Sequence, residues 1–164
     1  MDGQKRLLIV DDDRMHRVIY SSIAAKLDYH VDLAECPLAA DEAFRAARYD
    51  SVILDLMLGE DSGAEVLGLM SRLEDKPRVL LVTGASEAMI KQVFNIGLSF
   101  GLELFGPVRK PVNVGLIRTV LKSMEIAASA QASTGPLTRR RSSDGFVAKP
   151  APLEQMATWP AVFR

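Results

Sequence analysis

The side chains best equipped for chemistry fall at the ends of apolar runs. Asp11, Asp12 and Asp13 follow the aliphatic stretch 7–10; Asp55 closes "SVILD", Thr83 closes "RVLLVT", and Lys110 precedes Pro111. Adjacent carboxylates repel one another, and a hard divalent cation relieves that repulsion. Mg²⁺ takes one or two carboxylates and keeps several waters. A lysine and a hydroxyl opposite such a metal suit a phosphoryl group, through charge neutralisation and a hydrogen bond. Taken singly, Thr83 reads as a β-branched strand residue and Lys110 as a solvated loop residue. Asp55 differs, because an acid inside "VILDLML" is costly to bury without a partner.

Other reactive residue types read as structural. Asp13 is expected to cap the following helix, with a direct metal role as the alternative. His16 and His30 have no ligand spacing and are expected on a surface or helix face. Cys36, the single cysteine, fits a half-buried packing position beside Pro37 and a reducing cytoplasm. Met57, Met70 and Met89 read as packing residues.

The elements that must position these groups are legible as periodicity. Strands are expected over 6–10, 30–34, 51–56, 78–83 and, more weakly, 102–108. Helices are expected over 15–27, 38–47, 64–73, 87–98 and 114–124. Successive apolar residues within three of the strands suit parallel strands covered on both faces. Val18, Ile19, Ile23 and Leu27 are expected to turn one face of the first helix inward. Ser86 and Asn113 are plausible N-caps. Five alternations of strand and helix imply a doubly wound α/β parallel sheet. In such sheets, ligands gather beyond the carboxyl ends of the strands, where all of these polar residues are expected.

The pattern fades near residue 126. Residues 1–126 carry 15 basic and 19 acidic groups, a net of −4, whereas 127–164 carry 5 and 2, a net of +3. The composition turns to Ala, Ser, Pro and Thr, so 127–164 is expected to be a flexible tail. "RRRSS" (139–143) reads as a solvated linker, with contact to an acidic partner as the minority reading. The whole chain has a formal net charge of −1, which points to no nucleic-acid or membrane partner. No apolar run approaches a membrane span, and the N-terminus does not read as a signal peptide.

"IVDDD", "ILDLMLGEDSG", "LLVTGAS" and "RKP", in that order, resemble the receiver domain of two-component response regulators (CheY-like) over about residues 5–124. The resemblance implies a flavodoxin-like (βα)5 fold with a five-stranded parallel sheet over 1–126. It implies Asp55 as phosphoacceptor, Asp12 as a direct Mg²⁺ ligand, Asp11 beside it or acting through water, and the Met57 backbone carbonyl completing the metal shell. Thr83 would hydrogen-bond the phosphoryl group and Lys110 would pair with it. The implied partner is a sensor histidine kinase or phosphotransfer protein, with a small donor such as acetyl phosphate as substitute. Output would be protein–protein contact with a target or a second copy, through the face of the fourth helix, fifth strand and fifth helix. The protein would be cytoplasmic and stand-alone, no enzyme beyond catalysing its own phosphorylation and slow dephosphorylation.

Several positions depart from the family pattern. Gly59 stands where receivers usually carry proline, and Ser62-Gly63 replaces the usual Asp-Gly. Pro107 occupies the place of the aromatic switch residue, with Phe105 two places earlier. The segment "GLSFGLELFGPVRKP" resembles receivers attached to EAL phosphodiesterase domains, although no such domain follows. Met57 and Ala85 occupy the positions that flank the hydrolytic water in the family, and neither can orient water. A haloacid-dehalogenase-type phosphatase also ends its first strand in Asp-x-Asp, but its acidic motif after the lysine is missing. A DNA-binding output is disfavoured because the 38 residues from 127 are too poor in pattern for such a domain. The remaining alternative is a pseudo-receiver, a binding module that works without phosphorylation.

Overall fold

The computed structural model describes residues 4–133, with side chains up to residue 130. Strands β1 (Arg6–Val10), β2 (His30–Ala34), β3 (Ser51–Asp55), β4 (Arg78–Thr83) and β5 (Leu104–Arg109) alternate with helices. These are α1 (Arg14–Ala25), α2 (Pro37–Ala46), α3 (Gly63–Ser71), α4 (Glu87–Ser99) and α5 (Val114–Ser133). The strands form one five-stranded parallel sheet in the order β2-β1-β3-β4-β5. This is the flavodoxin-like order, and its switch point lies between β1 and β3. The expected doubly wound α/β architecture is therefore present.

Burial on both faces explains the unbroken apolar runs. Leu7, Ile9, Ile53, Leu80, Val82 and Val108 face one layer, with Tyr20, Ile23 and Ala24 of α1 and Ile117, Val120 and Leu121 of α5. Leu8, Val10, Val52, Leu54, Val79 and Leu81 face the other, with Ala40 of α2, Val66, Leu67 and Met70 of α3, and Ile90, Val93 and Phe94 of α4. Odd and even strand positions thus serve different layers, as the period of two requires.

Local signals set the helix starts. Asp13 caps α1, its Oδ1 accepting from the amides of Met15 at 2.7 Å and His16 at 3.4 Å. Ser86 accepts from the Met89 amide, and Asn113 Oδ1 from the Leu116 amide. Cys36 is half-buried at the start of α2 and makes no side-chain cap bond.

Three expectations need correction. Val18 is 50% exposed. Ile23 is buried as expected, with Tyr20 and Ala24 beside it, and Ile19 and Leu27 pack partly buried against the same core; Val18, two residues from Tyr20, lies about 200° around the helix. Met57 and Met89 are exposed, and only Met70 of the three methionines named packs in the core. Helix α5 continues past residue 124 to Ser133, because the Ala-rich sequence beyond it, unpatterned as it looks, has high helix propensity. The rest of the tail reading, with "RRRSS", lies outside the described residues.

Two features had no counterpart in the sequence reading. Met57–Leu58 pairs antiparallel with Asp61–Ser62 as a small hairpin. Gly59 begins its two-residue turn at φ +64°, a conformation closed to proline, which explains the departure there. In β5, Leu80 and Val82 pair with Phe105 and Val108, so one extra residue bulges between them. Gly106 lies in that bulge at φ +93°, where a Cβ would come within 2.7 Å of the Leu81 carbonyl oxygen. The bulge shifts the register of Val108 and Arg109, the last two residues of β5 before Lys110.

Candidate functional site

Because β1 and β3 are neighbours, the acids that close them meet at the switch point. Asp11 is fully buried. Its Oδ1 accepts from the Asp13 amide at 2.9 Å and its Oδ2 from Lys110 Nζ at 3.0 Å. Asp55 is 2% exposed. Its Oδ1 accepts from the Met57 amide at 3.0 Å and its Oδ2 from Lys110 Nζ at 2.6 Å. Asp12 is exposed beside them. One oxygen from each of Asp11, Asp12 and Asp55 lies within 4.8 Å of the others. This all-oxygen donor set is chemically suited to a hard divalent cation.

The electrostatics follow from burial and the single lysine. Burial pushes the Asp55 carboxyl above the usual carboxylate range, against the pull of the Lys110 and Met57 hydrogen bonds; Asp11 adds repulsion. Burial also works against the Lys110 ammonium, but its hydrogen bonds to Asp55 and Asp11 outweigh that, and its pKa is raised. One cation thus faces two buried acids and one exposed acid, an arrangement open to further positive charge.

Thr83 closes β4 and is fully buried. Its register lies one step beyond Val82, the partner of Asp55. The Thr83 hydroxyl accepts from the Ala85 amide at 3.0 Å, and the Thr83 carbonyl accepts from the Lys110 amide at 3.1 Å. The last bond carries the lysine backbone to the acid cluster. Asp11, Asp12, Asp55, Thr83 and Lys110 are therefore gathered at one edge. The Met57 side chain is 48% exposed, and its amide is tied to Asp55.

The sequence reading missed His16 as a member of this group. Its Nδ1 lies 2.9 Å from Lys110 Nζ and 3.3 Å from Asp11 Oδ1. The available signal was positional: the residue falls in the first turn of a helix that starts beside the acids. Arg17 was also missed; it donates to the carbonyls of Asp11 at 2.7 Å and Asp12 at 2.9 Å, fixing the acid loop from behind.

At the switch position, Pro107 is half-buried in β5, while Phe105 packs against the α1–α5 core. Arg109 reaches the loop after β4, where it donates to the Ala85 carbonyl and approaches Glu87 at 3.9 Å. Among the described residues, no helix is long and apolar enough to cross a membrane.

With this geometry in hand, comparison with known proteins is specific. The model of the response regulator receiver domain matches residues 7–122. The chain is similar to the aerobic respiration control sensor protein ArcB of Escherichia coli (25% identity over 152 residues, 91% of this chain), but spans only 19% of that protein's length. It is similar to sporulation initiation phosphotransferase F of Bacillus subtilis (29% identity, 72% of this chain and 91% of that protein). A response regulator from Burkholderia pseudomallei, solved with a phosphorylated aspartic acid, calcium ion and citrate, aligns at TM-score 0.61 and 25% identity, covering 80% of this chain and 75% of that one. A CheY-like receiver from Methanospirillum hungatei shares the fold at TM-score 0.67 and 23% identity, covering 81% of this chain and all of that one. A family match over most of the chain, with the acids, hydroxyl and lysine at one sheet edge, leaves a single conclusion: this chain belongs to the response regulator receiver domain family.

Proposed function

We propose that Asp55 is the phosphoacceptor and that the chain receives its phosphoryl group from a sensor histidine kinase or a phosphotransfer protein. The observation that carries this reading is the buried Asp55 carboxylate, held by Lys110 at 2.6 Å beside a second buried acid. Mg²⁺, held by Asp12, Asp55 and the Met57 carbonyl with Asp11 beside it or acting through water, would neutralise charge on the transferring oxygens when bound. A carboxylate oxygen of Asp55 attacks phosphorus, the P–N bond of the donor phosphohistidine breaks, and the nitrogen leaves with the bonding pair. Lys110 follows the charge onto the phosphoryl oxygens, and Thr83 donates its hydroxyl to one of them. Positioning and electrostatics supply most of the acceleration. The chain then acts as a signalling domain that catalyses its own phosphorylation, and output runs through the α4–β5–α5 face to a target or a second copy. The receiver body spans residues 1–126, with its last helix running on to Ser133, and the rest of the chain to 164 is an appendage to it. A cytoplasmic setting follows from the partner.

The test is intact mass after incubation with acetyl phosphate and Mg²⁺. Wild type is expected to gain one phosphoryl group, whereas Asp55→Asn, or omission of the cation, gives none. An adduct that survives in Asp55→Asn would overturn the assignment, and no adduct in wild type would leave a binding module.

Loss of the phosphoryl group should be slow. Met57 is apolar and Ala85 is buried with its amide engaged by Thr83, so neither side chain orients water. Met57→Asn is expected to shorten the half-life of the adduct by roughly tenfold, the equivalent of one hydrogen bond to the attacking water. An unchanged decay rate would refute this.

A further inference from the structure

An ammonium has three N–H donors and no acceptor. Lys110 Nζ lies within hydrogen-bond distance of three polar atoms: Asp55 Oδ2 at 2.6 Å, His16 Nδ1 at 2.9 Å and Asp11 Oδ2 at 3.0 Å. The imidazole contact is a hydrogen bond when Nδ1 offers its lone pair to the ammonium. If Nδ1 carried a proton, two N–H donors would face each other across 2.9 Å. Nδ1 also lies 3.3 Å from each carboxylate oxygen of Asp11 and 3.9 Å from Asp13 Oδ2. Acceptance by Nδ1 would leave the ring proton on Nε2. The ring is also backed: it stacks on fully buried Tyr20, with centroids 5.9 Å apart and planes inclined by 16°. Only 27% of the His16 side chain is exposed.

We infer that His16 is a positioning residue that holds the Lys110 ammonium ready for the phosphoryl group, a role that rests on Asp55 being the phosphoacceptor. When Asp55 becomes an acyl phosphate, one lysine N–H must pass from the Asp55 carboxylate to a phosphoryl oxygen. Asp11 and His16 take no part in the bonds that form or break. Their two contacts can persist through the transfer and keep the third N–H aimed at the incoming oxygen. The identity of the third acceptor matters. A further carboxylate there would add repulsion to the acid cluster and draw the ammonium away from Asp55. A hydrocarbon would leave one donor without a partner. A neutral imidazole supplies a lone pair and no charge.

Two variants and one spectroscopic measurement test this in the full chain. His16→Leu fills the space without an acceptor, whereas His16→Gln restores one. His16→Leu is expected to slow adduct formation from acetyl phosphate by about tenfold, the equivalent of one hydrogen bond to a charged group. His16→Gln should recover most of that rate. A packing role would favour the two in the opposite order. Equal rates for both variants, or a faster His16→Leu, would overturn the inference. Independently of any phosphorylation, the ¹⁵N resonances of His16 should show the Nε2–H tautomer, and the Nδ1 resonance should move in Lys110→Met. A protonated Nδ1, or an Nδ1 resonance indifferent to Lys110, would also overturn it. If wild type takes up no phosphoryl group but the resonance behaves as expected, the phosphoacceptor reading fails and the His16–Lys110 contact stands; the positioning role then falls with that reading.

Discussion

Lys110→Met is expected to lower the stability of the metal-free protein by about 3 kcal/mol at neutral pH, measured by urea unfolding, because it leaves buried charges without their partner. Asp11 and Asp55 are both nearly sealed from water, and Lys110 is the cation within hydrogen-bond distance of each. Methionine preserves the bulk of the lysine stem, so the loss reports charge more than packing. Two additions should reverse it. Asp55→Asn in the same chain removes one of the stranded carboxylates. A divalent cation should do the same by mass action, contributing about 2.7 kcal/mol at a hundredfold excess over its dissociation constant. If Lys110→Met is as stable as wild type, the acids are better solvated than their burial implies, and the electrostatic account of the site fails.

The same pair predicts a pH dependence with a definite sign. Burial raises the Asp55 pKa above that of an unfolded aspartate. An unfolded chain therefore releases this proton first, and folding is favoured while Asp55 stays protonated. That contribution is complete below the ordinary carboxylate range and is lost as pH rises through the raised value. Asp55→Asn should thus be more stable than the metal-free wild type at neutral pH, with the gap closing on acidification. A gap that widens on acidification would reverse the assignment.

Gly63→Ala is expected to cost about 3 kcal/mol and to depress phosphoryl uptake beyond what the lost stability explains. Helix α3 begins with this glycine pressed against the end of β3. A Cβ would fall 2.4 Å from the Asp55 carbonyl oxygen and 2.8 Å from the Leu56 Cα, both backbone atoms. Neither can swing aside as a flexible side chain would, so either α3 must lift or the Asp55 backbone must shift. Both responses disturb Asp55. The control lies in the same helix. Gly68 has nothing within 4 Å of its Cβ position, so Gly68→Ala should stabilise by about 0.5–1 kcal/mol through helix propensity alone. If both substitutions have the same effect, the close approach at Gly63 is not a constraint on the site.

The site was legible where burial and residue type conflict. An aspartate inside "VILDLML" and three acids at the mouth of "LLIV" mark positions that need a cation, and a lysine and threonine at other strand ends indicate what sits opposite. The fold was equally open to reading, because two-sided burial makes strands uniformly apolar and helices must bridge them. What escaped were relations that depend on rotation and distance. Val18 looked inward until the turn of α1 placed Tyr20 there. His16 looked like a surface histidine until α1 carried it to Lys110, 94 residues away in sequence.

The chain alone therefore determined which side chains carry charge and which segments must be buried, since composition and period encode both directly. Tertiary structure alone decided which of those charges touch. Lys110 reaches Asp11 and Asp55 because the β5 bulge and the Thr83 carbonyl set where its backbone stops. His16 joins them because the Asp13 cap sets where α1 begins. Hydrogen bonds act over about 3 Å, and no pattern along a chain specifies a separation that small between residues so far apart.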